Sequence, residues 1–231
     1  MQNKEELWLR KRLGLITASE LNEICSASGK IIDTNRSYIR KKRFERTHGF
    51  THGVVSRAME IGKEQEPMAV AWLRSHFADK KIVYSQELDE IPFWSVDWAR
   101  FGASPDCFSE DEKCVYEIKT LVSGERIEFF ADERTTFLEK LAAVWKEHGA
   151  QVLGQMLSNP KVEHVILLKF IPQDDNIIED CDSPLADWRG NLFVFSRAGL
   201  QAELDEMRER IIMFDRLIDS PLSPSAMGKE K

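Results

Sequence analysis

Apolar residues recur along this chain with two different spacings, one typical of helices and one typical of strands. Spacings of three and four residues predict helices over about residues 37–46, 64–77, 135–148, 150–157 and 199–219. In the last of these helices, five apolar residues fall near one stripe: Leu200, Leu204, Met207, Ile211 and Leu217. Short runs rich in aromatic and β-branched residues predict strands at residues 81–84, 98–103, 114–119, 162–170 and 191–196.

The order of these elements predicts an α/β or α+β core, in which helices flank one short mixed β-sheet. A further short helix is predicted from Thr17 through about Cys25, because Thr17-Ala18-Ser19-Glu20 has the pattern of a capping box. The chain of 231 residues is long enough for one well-buried core, and no repeat or Gly/Ser-rich linker marks a boundary. We therefore expect a single domain covering residues 1–231.

Charge is distributed unevenly along the chain. The formal net charge is −7. Residues 1–63 carry 13 Lys or Arg against 7 Asp or Glu, a net of +6, so the remaining residues carry −13. A basic N-terminal part on an acidic body fits a local phosphate-binding face, and it fits a solvated helix surface about equally well.

The cysteines and the apolar runs exclude several classes of protein. The four cysteines form no CxxC pair and have no histidine cluster nearby, so we do not expect a zinc or iron–sulfur site. We expect all four cysteines to be free thiols. No apolar run approaches the roughly 20 residues that span a bilayer, and the N-terminal segment lacks the apolar core of a secretory signal. We expect no membrane partner and a cytoplasmic location, in the host cell if a phage encodes the protein.

The segment that suggests chemistry is Ser104-Pro105-Asp106, which Glu117-Ile118-Lys119 follows eleven residues after the aspartate. If Asp106 ends one strand of a hairpin and residues 117–119 lie on the next, Glu117 and Lys119 share a face, because strand side chains repeat every second residue. Asp106 would then stand beside them. Two carboxylates and an ammonium group suit phosphodiester hydrolysis with Mg²⁺, and Lys119 would orient or deprotonate the water or offset transition-state charge.

A simpler interpretation of the same residues is structural. Asp106 could cap a turn after a proline, while Glu117 and Lys119 form an exposed pair on one strand. A D…ExK pattern is short enough to occur by chance, so the surrounding sequence has to decide between the two interpretations.

Sequence blocks on both sides of this pattern favour the functional interpretation. In chain order they are residues 8–19 (WLRKRLGLITAS), 62–66 (GKEQE), 102–106 (GASPD), 117–119 (EIK) and 150–152 (AQV). Together they resemble the PD-(D/E)xK nucleases, and more narrowly the lambda exonuclease and YqaJ-like viral recombinase family, over residues 8–157. The chain departs from the family pattern at Leu153, where a second glutamine is common, and at Cys107, where glycine is usual.

The resemblance implies a restriction-endonuclease-like core with a Mg²⁺ site that Mn²⁺ would also fill. The implied metal ligands are Asp106, Glu117, Glu66 and the backbone carbonyl of Ile118. Lys119 and Gln151 complete the implied catalytic set, with Gln151 on the substrate phosphate or the attacking water. Alternatives stay open for two of them, since Glu66 would also be favourable near a helix N-terminus through the dipole, and Gln151 could be a solvated helix residue.

A phosphate pocket is expected near the start of the chain. A helix that begins at Thr17, with Ser19 close to its start and Arg12 just upstream, offers free N–H groups and a guanidinium to an anion. The resemblance implies that these three residues grip the 5′-phosphate of the degraded strand. A plain capping box with a surface arginine is the alternative.

The basic segment 36–46 has too many charges for a core helix. We expect it to line a DNA channel and to contact the DNA backbone through Arg40, Lys41 and Arg43. A solvated helix face is the alternative.

Taken together, these inferences predict a Mg²⁺-dependent exonuclease that degrades one strand of linear double-stranded DNA from a 5′-phosphorylated end. The resemblance further implies a ring-shaped homotrimer that encloses DNA, and a single-strand annealing protein as partner in phage-type recombination. Two other classes stay open, namely a sequence- or structure-specific endonuclease on the same fold and a non-catalytic DNA-binding protein.

Overall fold

The computed structural model describes residues 3–25, 36–51, 56–173 and 186–220. The helices of this part of the chain are α1 (Lys4–Arg12), α2 (Arg36–His48), α3 (Arg57–His76), α4 (Gly124–Ala131), α5 (Phe137–Ser158) and α6 (Gln201–Asp219). The strands are β1 (Ile16–Thr17), β2 (Ile82–Tyr84), β3 (Trp94–Ser95), β4 (Phe101–Ala103), β5 (Cys107–Ser109), β6 (Cys114–Thr120), β7 (His164–Phe170) and β8 (Gly190–Ser196). The predicted α/β architecture is confirmed.

The strands form two sheets. The larger has the order β2-β5-β6-β7-β8, and within it β6 and β7 are parallel while the other pairs are antiparallel. The smaller has the order β1-β4-β3. One mixed sheet was predicted, so the second sheet is a correction. Its strands are only two or three residues long, too short for an alternating pattern to be visible in the sequence.

Strand β6 separates the two halves of the core. Its residue Val115 packs in the larger cluster with residues of α5, whereas Tyr116 and Ile118 pack in the second cluster with residues of α3. Because strand side chains alternate, Glu117 and Lys119 lie on the same face as Val115, toward α5. The central strand therefore presents its two charged side chains to the longest helix.

Three helix predictions need correction. Helix α3 begins at Arg57, seven residues earlier than predicted, because the side chain of Ser56 caps it by accepting from the Met59 N–H. Helix α5 is continuous where two segments were predicted, since burial of its central turns outweighs the cost of Gly149. In α6, Leu217 is 43% exposed and Ile218 takes its place in the core.

Helix α1 was not predicted, because none of its residues is buried and it has no apolar stripe. Local interactions stabilise it instead. The side chain of Asn3 accepts a hydrogen bond from the Glu5 N–H at 3.1 Å, acidic residues lie in the first turn, and basic residues lie in the last.

The three cysteines in the described residues, Cys25, Cys107 and Cys114, are free thiols as expected, and Cys181 lies outside the described residues. No helix in the described residues is long and apolar enough to cross a membrane.

Helix α5 lies very close to the 3-10 helix Ala18–Glu23, and Gly154 makes this approach possible. A Cβ atom at position 154 would lie 2.7 Å from the Ala18 Cβ and 2.7 Å from Leu21 Cδ1. We expect Gly154→Ala to destabilise the protein by about 1–3 kcal/mol through overpacking, although alanine favours helix by about 1 kcal/mol.

The matched control for this prediction is Gly62→Ala in α3. A Cβ atom there would meet nothing within 4 Å, so only the helix propensity changes and the protein should gain about 0.5–1 kcal/mol. Urea unfolding of both variants checks the pair. Equal effects of the same sign would contradict the close packing at Gly154.

Candidate active site

The β5–β6 hairpin brings the two predicted carboxylates together. Cys107 pairs with Tyr116, so the next position outward sets Asp106 opposite Glu117. The Asp106 Oδ2 atom accepts a hydrogen bond of 2.8 Å from the Ile118 N–H. Asp106 directly precedes β5, whereas the sequence analysis placed it at the end of a strand. This correction leaves the predicted adjacency of Asp106 and Glu117 in place.

Glu117 is 2% exposed, and three side chains donate to its carboxylate. Lys119 Nζ lies 2.8 Å from Oε1, and Gln151 Nε2 donates to the same oxygen. Gln155 Nε2 lies 2.8 Å from Oε2 and also 3.3 Å from the Ser104 carbonyl oxygen. Gln151 and Gln155 are one turn apart on α5, so this helix fixes the orientation of the Glu117 side chain.

The pKa shifts at the site show that the carboxylates of Asp106, Glu117 and Glu66 lie close enough to act on one another. Burial raises the pKa of Asp106 well above its usual value, and the charges of Glu117 and Glu66 raise it further. Burial also raises the pKa of Glu66, against a hydrogen bond from Tyr84 that lowers it. Like charges in a half-buried site favour protonation or a bound cation.

Lys119 responds in the opposite direction. Burial alone would lower the pKa of its ammonium group, but Glu117 and Asp106 together with Glu66 raise the pKa above its usual value. The side chain is therefore a cation at neutral pH. A cationic Lys119 can offset negative charge on a transition state.

The donor atoms suit a hard cation. The described residues contain no group of three or more His, Cys, Asp or Glu side chains arranged to hold a metal ion. Magnesium typically needs only one or two carboxylates and keeps several waters, so the neighbouring oxygens of Asp106 and Glu117 are compatible with it. The charge of Glu66 raises the pKa of Asp106, so Glu66 lies close to this pair. Among the described residues, Glu66 does not converge with Asp106 and Glu117 as a third ligand.

The predicted phosphate-binding residues lie together. Arg12 Nη2 is 3.2 Å from Ser19 Oγ and 3.5 Å from Thr17 Oγ1. The Arg12 guanidinium stacks over the Trp8 ring at 4.2 Å, and Trp8 Nε1 donates to Ser104 Oγ at 2.6 Å. Trp8 thus joins this pocket to the segment that carries Asp106, a role that was not assigned from the sequence.

The pocket and the carboxylates are also linked through charge. Burial lowers the pKa of Arg12, while Glu20, Glu45, Asp106 and Glu117 oppose this shift. Two of the three predicted metal-site acids therefore act on the pKa of Arg12. An anion held by Arg12 would lie within electrostatic range of Asp106 and Glu117.

The predicted capping box is wrong. Thr17 occupies the N-cap position of the 3-10 helix Ala18–Glu23, but its side chain makes no cap hydrogen bond. Thr17 Oγ1 instead donates to Glu20 Oε2 at 3.0 Å. The Thr17 hydroxyl bonds to the carboxylate at the third position and leaves the backbone N–H groups of the first turn uncapped, so their predicted contact with a phosphate stays a prediction.

The basic helix α2 is only partly as predicted. Arg43 donates to the backbone carbonyls of Leu217, Ile218 and Ser220 at the end of α6, which is a structural role in place of the predicted DNA contact. Lys41 is exposed but lies 3.2 Å from Glu20 Oε1.

Arg40 and Lys42 of segment 36–46 also differ in their exposure to solvent. Arg40 is exposed, and its predicted DNA contact stays a prediction. Lys42 is only 3% exposed, which corrects the expectation that no residue of the segment is core.

A second polar cluster beside the site was missed entirely. Lys169 on β7 lies in register with Lys119, and its buried ammonium donates to Glu147 Oε2 at 3.1 Å and to His148 Nε2 at 2.7 Å. Burial lowers the pKa of Lys169 to about 8, against the raising effect of Glu147. The available signal was a single lysine in the apolar strand HVILLKF.

His148 in this cluster gives a pH prediction. Burial and then the charge of Lys169 lower the pKa of His148 to about 2, so the folded protein holds a neutral imidazole. The unfolded chain binds a proton at His148 below about pH 6.5, and the folded protein does not. The free energy of unfolding should therefore decrease as the pH is lowered below about 6.5, by up to about 1.4 kcal/mol per pH unit from this group. His148→Gln keeps an acceptor for Lys169 and should make the loss between pH 6.5 and 4.5 shallower.

Urea midpoints measured across this pH range check the prediction. His164→Gln, which changes an exposed histidine at the start of β7, is the matched control and should keep the wild-type slope. If His148→Gln has the same slope as the wild type, His148 is not buried as a neutral group.

A surface cavity of about 520 Å³ opens on the other face of the larger sheet, where Tyr116 and Ile166 line it. Its lining contains none of the predicted site residues, so it adds nothing to the interpretation of the site.

Comparisons with known proteins agree with this arrangement. The model of the YqaJ-like viral recombinase domain matches residues 7–159, about two thirds of the chain, so the chain belongs to this family. Among curated proteins, no sequence matches the chain.

Solved structures share the fold. An alkaline exonuclease from Laribacter hongkongensis matches with a TM-score of 0.63 and 21% identity, over 93% of this chain and 94% of that chain. The same exonuclease in complex with dAMP matches with a TM-score of 0.66 and 22% identity, over 93% of this chain and 94% of that chain. A phage related exonuclease from Haemophilus somnus 129PT matches with a TM-score of 0.60 and 18% identity, over 93% of this chain and 96% of that chain.

Proposed function

We propose that this protein is a Mg²⁺-dependent exonuclease that degrades one strand of linear double-stranded DNA from a 5′-phosphorylated end. The observation that carries the proposal is that Asp106, Glu117 and Lys119 converge. Arg12 stacks on Trp8, which is hydrogen-bonded to Ser104 in the segment that leads to Asp106. Family membership and a fold shared with exonucleases support the same class of reaction. The binding of dAMP by one of those exonucleases supports mononucleotides as the product.

In this proposal Asp106, Glu117 and the Ile118 carbonyl would hold Mg²⁺, for which Mn²⁺ would substitute, and Glu66 would add negative charge close to the cation. The cation, when bound, polarises a phosphoryl oxygen and activates water for attack. Lys119 offsets the negative charge that develops on the phosphate, because its ammonium already lies against the carboxylates. Gln151 acts by fixing Glu117, to which it donates in the absence of substrate.

The pocket of Arg12, Thr17 and Ser19 would supply the dependence on an end. The Arg12 guanidinium and the Ser19 hydroxyl can donate to a terminal phosphate dianion. Thr17, whose one hydroxyl proton goes to Glu20, accepts from Arg12 and orients it. A phosphate gripped there is held beside the Asp106 and Glu117 pair, which limits cleavage to the terminal residue. An internal phosphodiester has one charge fewer and carries a chain on both sides.

The assembly and the partner follow from the family. We propose a homotrimeric ring around DNA, with Arg40 and Lys41 among the cations that face the backbone, and a single-strand annealing protein as partner in recombination. A ring would combine the basic part of residues 1–63 on its inner surface with an acidic exterior. Light scattering that gives a mass of one chain in dilute solution would overturn the trimer.

A digestion assay tests the activity. Linear duplex with 5′-phosphates and covalently closed circular duplex are incubated with the protein in Mg²⁺ and in EDTA. The proposal expects mononucleotides from the linear duplex in Mg²⁺ only, with the circle intact. Cleavage of the circle would favour the endonuclease alternative, and an inert linear duplex would favour the non-catalytic DNA-binding protein.

A further inference from the structure

A carboxylate borders the proposed phosphate pocket, where it should hinder the binding of an anion. Glu20 Oε2 accepts from Thr17 Oγ1 at 3.0 Å, and Thr17 itself lies 3.2 Å from Ser19 across the two hydroxyls. Among the carboxylates that act on the pKa of Arg12, Glu20 has the largest effect. A phosphate dianion that approaches Arg12 therefore approaches Glu20, and repulsion between like charges weakens its binding.

A buried lysine answers this charge. Lys42 Nζ lies 2.8 Å from Glu20 Oε2 and 3.0 Å from Glu45 Oε2, and its side chain is 4% exposed. Burial alone would raise the pKa of Glu20, but Lys42 and then Lys41 lower it, so Glu20 stays ionised. Without Lys42, its ion pairs with Glu20 and Glu45 would be lost, and the negative charge of Glu20 would repel an anion in the pocket.

Two neighbours hold the Glu20 carboxylate together with Lys42, and the second partner of Lys42 reaches the turn before Thr17. The Tyr38 hydroxyl donates to Glu20 Oε2 at 3.3 Å, and Lys41 Nζ lies 3.2 Å from Oε1. Glu45, the second partner of Lys42, accepts from the Gly14 N–H at 3.1 Å. Gly14 has a φ of 74° and forms the turn between α1, which carries Arg12, and β1, which carries Thr17. Lys42 thus connects both sides of the pocket.

We propose that Lys42 is a positioning residue that sets specificity for a terminal 5′-phosphate, by neutralising Glu20 and holding its carboxylate as the acceptor of the Thr17 hydroxyl. This inference rests on the proposed function, because it assumes that Arg12, Thr17 and Ser19 receive the phosphate. With Lys42 in place, Thr17 donates to Glu20 and accepts from Arg12, which orients the guanidinium, and the positive charge of Arg12 is available to the substrate.

The test compares kcat and KM for linear duplexes with a 5′-phosphate and with a 5′-hydroxyl. Wild type should prefer the 5′-phosphate. Lys42→Met should lower this preference at least about tenfold through a higher KM for the phosphorylated end, with kcat at saturation within about twofold. The double variant Lys42→Met with Glu20→Gln should regain the preference to within about threefold, because the carboxylate charge that borders the pocket is gone.

Two further variants keep the test decisive. Lys161→Met removes an exposed ion pair with Glu112 at the β5–β6 turn and should keep the wild-type preference. If Lys42→Met does not fold, Glu20→Gln alone suffices. It should retain or increase the preference for 5′-phosphate, and a lower preference would overturn the proposal.

The outcomes separate the two proposals. A wild type that digests both ends equally refutes the phosphate pocket and this inference with it. A wild type that prefers the 5′-phosphate, together with a folded Lys42→Met variant of unchanged preference, refutes only the inference about Lys42.

Discussion

Substitution of Asp106 by asparagine is expected to slow DNA hydrolysis in Mg²⁺ about 10³-fold or more, because it removes an anionic oxygen from the cation site. The fold should persist, since the asparagine Oδ1 can still accept from the Ile118 N–H that now lies 2.8 Å from the carboxylate. In the absence of metal the variant should be at least as stable as wild type. The charges of Glu117 and Glu66 no longer repel a neighbour there.

Rate measurements together with thermal melts in EDTA check both parts of this prediction. Asp111→Asn is the matched control, because it makes the same change in the turn of the same hairpin at an exposed position that binds Ser109. It should leave the rate within about twofold of wild type, as is usual for surface changes. An active Asp106→Asn variant would remove Asp106 from the catalytic set.

Substitution of Arg12 by lysine is expected to reduce kcat/KM for 5′-phosphorylated ends by about 10- to 100-fold and to leave 5′-hydroxyl ends nearly unchanged. Lysine keeps the charge but loses the planar fork that reaches both Thr17 and Ser19, and it loses the stacking on Trp8. A loss of about 1.5–3 kcal/mol in charged hydrogen bonds corresponds to this range.

Initial rates on the two kinds of end check the prediction for Arg12. Arg10→Lys on the same helix is the control, since Arg10 is exposed and pairs with Glu6 one turn away. It should behave as wild type on both substrates. An equal loss for both kinds of end in Arg12→Lys would indicate a general structural role and not recognition of a phosphate.

How far the sequence predicted the fold depended on element length. Strand β6 and the hairpin turn before it were predictable, because a run rich in aromatic and β-branched residues follows a polar turn. Strands β3 and β5 were not predicted, since two or three residues carry no period. Helix α4 buries only Phe130, so its apolar pattern gave no signal.

The site divides in a similar way. The adjacency of Asp106 and Glu117 follows from a hairpin register, which is a local property of the chain. The donation from Gln155 to Glu117 depends on how α5 packs on the sheet, and no local pattern encodes that contact. The burial of Lys42 is of the same kind, because the surrounding composition indicates a solvated helix and only Glu20 and Glu45 explain its place.

The central claim is that Asp106 and Glu117 share one divalent cation next to Lys119. Anomalous diffraction from crystals grown with Mn²⁺ tests this claim most directly. We expect a manganese peak about 2–2.3 Å from a carboxylate oxygen of each of these two residues. Manganese bound elsewhere in the crystal, with no peak between Asp106 and Glu117, would contradict it.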